Sequence, residues 1–162
     1  MKNMYFLLLL SSFLNYSQTI NFDEMVSMED KNVIEVRKLL SQKGWYLFSE
    51  LKPTQSTLGC DAFALEKERN NTQDFRRSGS FITYYYSKNF YISQIEFITS
   101  SKEIYNSFLN RINQLNYNLK TVTNSSKTYE NNKNSIEIHS VENVSGEKNY
   151  TITVENKSIK KN

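Results

Sequence analysis

Apolar residues in this chain recur at helical spacing, then switch to alternation at every second position, and the whole change happens twice. Val33, Val36, Leu39 and Leu40 form a stripe with Glu35, Arg37 and Lys38 on the polar side, and a short apolar turn of Phe22, Met25 and Val26 precedes them. The spacing predicts helix over residues 22–44. Ser27 with Asp30 three positions on has the form of a capping box, and Gly44 suits the left-handed residue that ends a helix. Beyond Gly44 the period is two, which predicts strands at 45–51, 60–67, 80–86 and 90–99, the first stopped by Pro53. In the second of these, Phe63 and Leu65 share one face and Ala62 and Ala64 the other. Ser87-Lys88-Asn89 is a hairpin candidate, and 69–79, with Asn70, Asn71, Asp74, Arg76 and Arg77, is the expected long loop.

The second cycle opens at Ser100, where Glu103 completes a Ser-x-x-Glu box, and its helix runs to about Leu115 with Ile104, Phe108, Ile112 and Leu115 as the stripe. Strands are expected again at 117–123, 128–131, 135–141 and 149–155. At an offset of 72 residues, Leu40-Ser-Gln-Lys-Gly-Trp-Tyr-Leu falls on Ile112-Asn-Gln-Leu-Asn-Tyr-Asn-Leu. Two readings stand: a true repeat, or two helix ends that converge on the same capping chemistry. Neither half has enough helix to cover a sheet of its own. The expected fold is therefore α+β: two helix-plus-antiparallel-meander repeats, about 22–99 and 100–156, sharing one antiparallel sheet with both helices on one face.

The first seventeen residues have another logic. One positive charge at Lys2, an apolar stretch Phe6 to Leu10 with Phe13 and Leu14, and the polar Asn15-Tyr16-Ser17-Gln18 make the three-part layout of a secretory signal, and the apolar stretch is shorter than the roughly 20 residues that span a bilayer. Cleavage after Ser17 leaves 18–156 as a single domain, 157–162 as a basic tail with Lys157, Lys160 and Lys161, and no membrane span. The expected location is outside the cytoplasm, periplasmic or extracellular. With Cys60 as the sole cysteine, no internal disulfide is possible. Leu58-Gly59-Cys60 imitates a lipoprotein box, but no apolar segment precedes it. The net charge of +3, with acids and bases interspersed, is too weak a field for a nucleic-acid footprint.

A helix that ends in Gln42-Lys43-Gly44-Trp45 and passes directly into a strand, followed by aromatic strands behind a signal segment, resembles small exported proteins of flavobacteria (Bacteroidota). The tandem helix-plus-meander plan is similar to the β-lactamase inhibitor protein fold, a saddle-shaped sheet that grips a partner. That resemblance implies a sheet face used for protein binding, and it carries over no inhibitor residue.

Chemistry-bearing residues are sparse. His139 alternates outward from Ile136 and Ile138, and Cys60 reads as a small buried hydrophobe; together they are the only material for a thiol–imidazole pair. Asp61, Glu66, Glu68, Asp74 and Glu96 form no motif and read as surface charges. No catalytic set, metal-ligand spacing or cofactor motif is expected. The aromatic crowd in the first meander has two readings, a binding face or rings filling a thin core. On the strand around Phe81, one parity is Ile82, Tyr84 and Tyr86, the other Phe81, Thr83 and Tyr85. Tyr84 and Tyr86, with Tyr91 across the hairpin, are expected on the open face as binding residues. The expected role is an inhibitor- or immunity-like module that binds another protein through this face; a carrier of a small apolar ligand and a hydrolase are the alternatives.

Overall fold

The computed structural model of the chain describes residues 20–65, 79–142, 146 and 148–158. Its helices among these are α1 (Phe22–Met28), α2 (Val33–Gln42) and α3 (Lys102–Gln114). The strands are β1 (Trp45–Leu51), β2 (Gly59–Leu65), β3 (Phe81–Tyr86), β4 (Ile92–Thr99), β5 (Asn118–Val122), β6 (Ser126–Glu130), β7 (Asn134–Glu142) and β8 (Lys148–Asn156). They form one eight-stranded sheet in the order β1-β2-β3-β4-β8-β7-β6-β5, antiparallel at every step. The chain is α+β with a single antiparallel sheet. Two four-strand meanders meet where β4 pairs with β8, leaving β1 and β5 as the edges.

The expected helix over 22–44 is two helices. Asn21 caps α1 and Asn32 caps α2, each accepting from the backbone N–H of a glutamate three residues on (Glu24, Glu35) whose carboxylate returns the bond. Two reciprocal boxes satisfy the free N–H groups of two separate helix starts, so the chain turns between them. Ser27 caps nothing; its hydroxyl donates to the Glu24 carbonyl at 2.7 Å. At α3 the cap is Ser101, one residue later than the spacing predicts, with its hydroxyl accepting from Ile104 N at 3.3 Å. Gly44 at φ 78° and Asn116 at φ 56° end α2 and α3 in the left-handed region.

The three helices lie on one face of the sheet. Phe97 in β4 stacks on Phe108 of α3 at 5.3 Å, Phe22 of α1 meets Phe108 edge-on at 5.8 Å, and Val33, Val36 and Leu40 of α2 join the same core. From the sheet come Phe63 and Leu65, Ile82, Ile95 and Phe97, then Ile152 and Val154, Ile136 and Ile138. Leu115, expected in the α3 stripe, lies beyond the end of the helix and is exposed. The signal segment 1–17, the loop residues 69–78 and the tail residues 159–162 lie outside the described residues. No described helix is long and apolar enough to cross a membrane.

Candidate functional site

Tyr84 and Tyr86 are not on the open face. They are 0 % and 1 % exposed, on the parity that faces the helices together with Ile82. What lets two phenols enter a core is Asp61, itself 0 % exposed and on the same face of β2 as Phe63. Tyr84 donates to Asp61 Oδ2 at 2.6 Å and Tyr86 to Oδ1 at 3.3 Å. Arg37 of α2 closes the cluster, donating through Nε to Oδ2 at 2.7 Å and through Nη2 to Oδ1 at 3.0 Å, and it also reaches Glu50 of β1 at 2.8 Å. A buried carboxylate needs this many donors, and a buried hydroxyl needs a partner. Hydrogen bonding to Asp61 holds the Arg37 guanidinium well above its ordinary pKa. Burial, and then the bond to Asp61, pushes the Tyr84 phenol far above its usual range, so it stays a donor. Gly59 completes the arrangement, because a Cβ there would sit 2.7 Å from Tyr86 Cζ and 2.7 Å from Pro53 Cδ.

The outer face carries the other parity. One row of register partners runs Tyr46, Ala64, Phe81, Ile98, Thr151, His139, Ser126 from β1 to β6. It is aromatic and apolar over the first meander and polar over the second, through Thr151, His139 and Ser126. The neighbouring row, Ser49, Ala62, Thr83, Glu96, Thr153, Glu137 and Thr128, is polar in both halves apart from Ala62. Because β2 contributes only Cys60, Ala62 and Ala64 here, Phe48 of β1 and Phe81 of β3 reach across it, ring centroids 6.0 Å apart. Phe48 remains 48 % exposed, and Leu51 of β1, the register partner of Cys60, is exposed too. Among the described residues no helix lies over this face.

Cys60 and His139 share the outer face but not a site. Between β2 and β7 lie four strand spacings, roughly 19 Å at about 4.8 Å each. Cys60 is half-buried, and burial raises its thiol pKa, the wrong direction for a nucleophile. Burial also raises the carboxyl of Glu96. No three His, Cys, Asp or Glu side chains gather in metal-binding geometry among the described residues.

Tyr91 is exposed, at 64 %, beside Phe90, whose φ of 63° is unusual for a bulky residue. The hairpin strains here because Ser87 N bonds Tyr91 O while Phe90 N returns to Ser87 O, both at 2.9 Å. Tyr91 pairs with Asn32 in an isolated bridge and, with Phe90, lines a cleft of about 680 Å³ together with Glu29, Asp30 and Glu35. The structure thus separates the three expected binding residues: two in the core, one at a polar cleft.

The expectation of Asp61 as a surface charge is wrong, since it is buried under the helices, and the sequence pattern singled out no role for Phe48. Alternation already placed Asp61 with Phe63 and Leu65, a charged residue on the core parity, which is a signal for a buried ion pair. Comparison with protein-family models, curated proteins and solved structures found no match.

Proposed function

We propose that this chain is an exported partner-binding module that engages another protein through the aromatic half of its outer sheet face and the adjoining edge strand β1. The observation that carries this reading is the exposed apolar pair Phe48 and Leu51 on β1, which is an edge strand of the sheet among the described residues. An edge strand with apolar side chains is a template for a second chain, and contiguous apolar area at a surface marks interaction sites. Phe81 and Tyr85 extend the patch inward from β1. The polar half beyond β4 would form the rim.

A tandem origin, as in the inhibitor-like resemblance, is supported by positions 72 apart. Gly44 and Asn116 are both left-handed, and the edge ladders slip at Leu47/Ser49 and at Leu119/Thr121. The strand order is the one that a two-fold relation between meanders produces. The carrier alternative fits less well, since carboxylates and amides, among them Glu29, Asp30, Glu35 and Asn156, share the lining of the cleft with Phe90 and Tyr91.

The test is capture of a stoichiometric partner from the exported fraction of the producing cells by the intact protein, compared among variants. Phe48→Asp is expected to abolish capture, whereas Glu137→Gln on the polar half leaves it unchanged, with both variants folded by circular dichroism. Capture that survives Phe48→Asp, or no stoichiometric partner with the wild type, overturns the reading.

A further inference from the structure

Glu29 and Asn134 are a buried pair with one proton too few. Glu29 is the residue that ends α1 and is 5 % exposed; Asn134 opens β7 and is 0 % exposed. Asn134 Nδ2 donates to Glu29 Oε2 at 2.7 Å. The remaining oxygens, Glu29 Oε1 and Asn134 Oδ1, are both buried acceptors and neither has a donor. Two unsatisfied acceptors in one buried carboxyl–amide pair are costly, and both atoms are closed to solvent.

We propose that Glu29 is a carboxylic acid in the folded protein, its Oε1–H donating to Asn134 Oδ1, so that acid and amide close a two-bond ring that works as a proton-operated latch between the helical layer and the second meander. One proton satisfies both orphaned acceptors, and the ring matches the donor and acceptor inventory of the two groups. Burial is the main influence on the carboxyl, and it raises the pKa from 4.5 to about 8; Lys133 works against it and Asp30 and Glu155 work with it. These come from every element packed around the group: Asp30 from its own turn, Lys133 from the β6–β7 turn and Glu155 from β8. Lys133 is engaged by Asp30 at 2.6 Å, which limits how far it can hold a negative charge on Glu29. Glu35 and Lys31 line the same cleft, and Tyr117 is raised in part by Glu29.

The sign follows from the raised value. The folded state binds the proton more tightly than the unfolded chain, so the latch stabilises fully below the unfolded pKa and loses its contribution as pH rises through the folded one, a window from 4.5 to about 8. Above it, a carboxylate faces Asn134 Oδ1 at the inner wall of the cleft, and the α1–α2 turn loosens from β7. Glu96, also raised by burial, adds a slope of the same sign, and Glu130, lowered by its bond to Lys157, one of the opposite sign; only a comparison with a Glu29 variant isolates the latch.

Glu29→Gln supplies that comparison, because a glutamine amide donates to Asn134 Oδ1 and accepts from Nδ2 without any proton to lose. Denaturant unfolding of the intact domain across about pH 5 to about pH 9 should show the wild-type unfolding constant rising on the order of tenfold or more relative to that of Glu29→Gln, with the variant the more stable at the alkaline end. A wild type that tracks the variant across this range, or a variant less stable at the alkaline end, overturns the proposal. Carbon-13 titration of the Glu29 carboxyl in the wild type decides independently, even if the variant does not fold. A midpoint near neutrality or above supports the latch, and one in the ordinary carboxylate range refutes it.

Discussion

Replacing Asp61 with asparagine keeps its shape and removes its charge, which makes it the sharpest probe of why Tyr84 and Tyr86 are inside. In the wild type Asp61 accepts four bonds: two from Arg37 at 2.7 and 3.0 Å, one from Tyr84 at 2.6 Å and one from Tyr86 at 3.3 Å. An asparagine accepts through one oxygen only, and its amide hydrogens then face the remaining donors. Removing one partner of a buried ion pair costs about 3–5 kcal/mol, because the other charge is left in place. Arg37 is 34 % exposed and keeps Glu50 and some water, so the low end, about 3 kcal/mol, is expected for Asp61→Asn. Tyr84→Phe removes one charge-assisted bond and no packing, and should cost about 1.5–3 kcal/mol. The two changes share that bond, so the double variant should fall short of their sum by about 1 kcal/mol or more. Trp45, the sole tryptophan and buried in the core, reports unfolding in urea by its fluorescence. If Tyr84→Phe is as stable as wild type and Asp61→Asn costs under about 1 kcal/mol, the cluster does not hold these tyrosines in the core and their burial needs another cause.

Export predicts that protein recovered from the producing cells begins at Gln18, which intact-mass measurement reads directly; a chain retaining the segment before Asn15 ends that claim. At the two helix ends, Gly44→Ala and Asn116→Ala should each cost about 1 kcal/mol, since both positions have positive φ, whereas Asn116→Gly should cost nothing. Chemical unfolding of the three variants checks this, and a neutral Asn116→Ala would remove one support from the equivalence of the two helix-to-strand junctions.

Alternation was enough to read the strands, because a half-buried strand writes its faces at every second residue. It placed β1 at Trp45–Leu51 without error and paired Ile82 with Tyr84 and Tyr86 on one face. It did not say which face was inner, for Phe81 and Tyr85 on the other parity are equally aromatic. The helix boundary at Met28 was legible and went unread: Asn21-x-x-Glu24 and Asn32-x-x-Glu35 are the same signal spelled twice, while Ser27 and Asp30 merely resemble it.

What decides the inner face lies in pairs that local patterning cannot show. Asp61 finds Arg37 24 residues away, and Glu29 finds Asn134 105 residues away. Each of these carboxyl groups sits on a surface that periodicity marks as apolar, and each is met there by a donor from another element. Asp61 draws the hydroxyls of Tyr84 and Tyr86 down toward the helices, and that leaves Phe48, Phe81 and Tyr85 to the outer face. The aromatic surface proposed for partner binding is thus a consequence of a buried ion pair on the opposite side of the same strands. A substitution that disrupts Asp61 should therefore disturb the outer face through β2 and β3, although no atom of Asp61 reaches it.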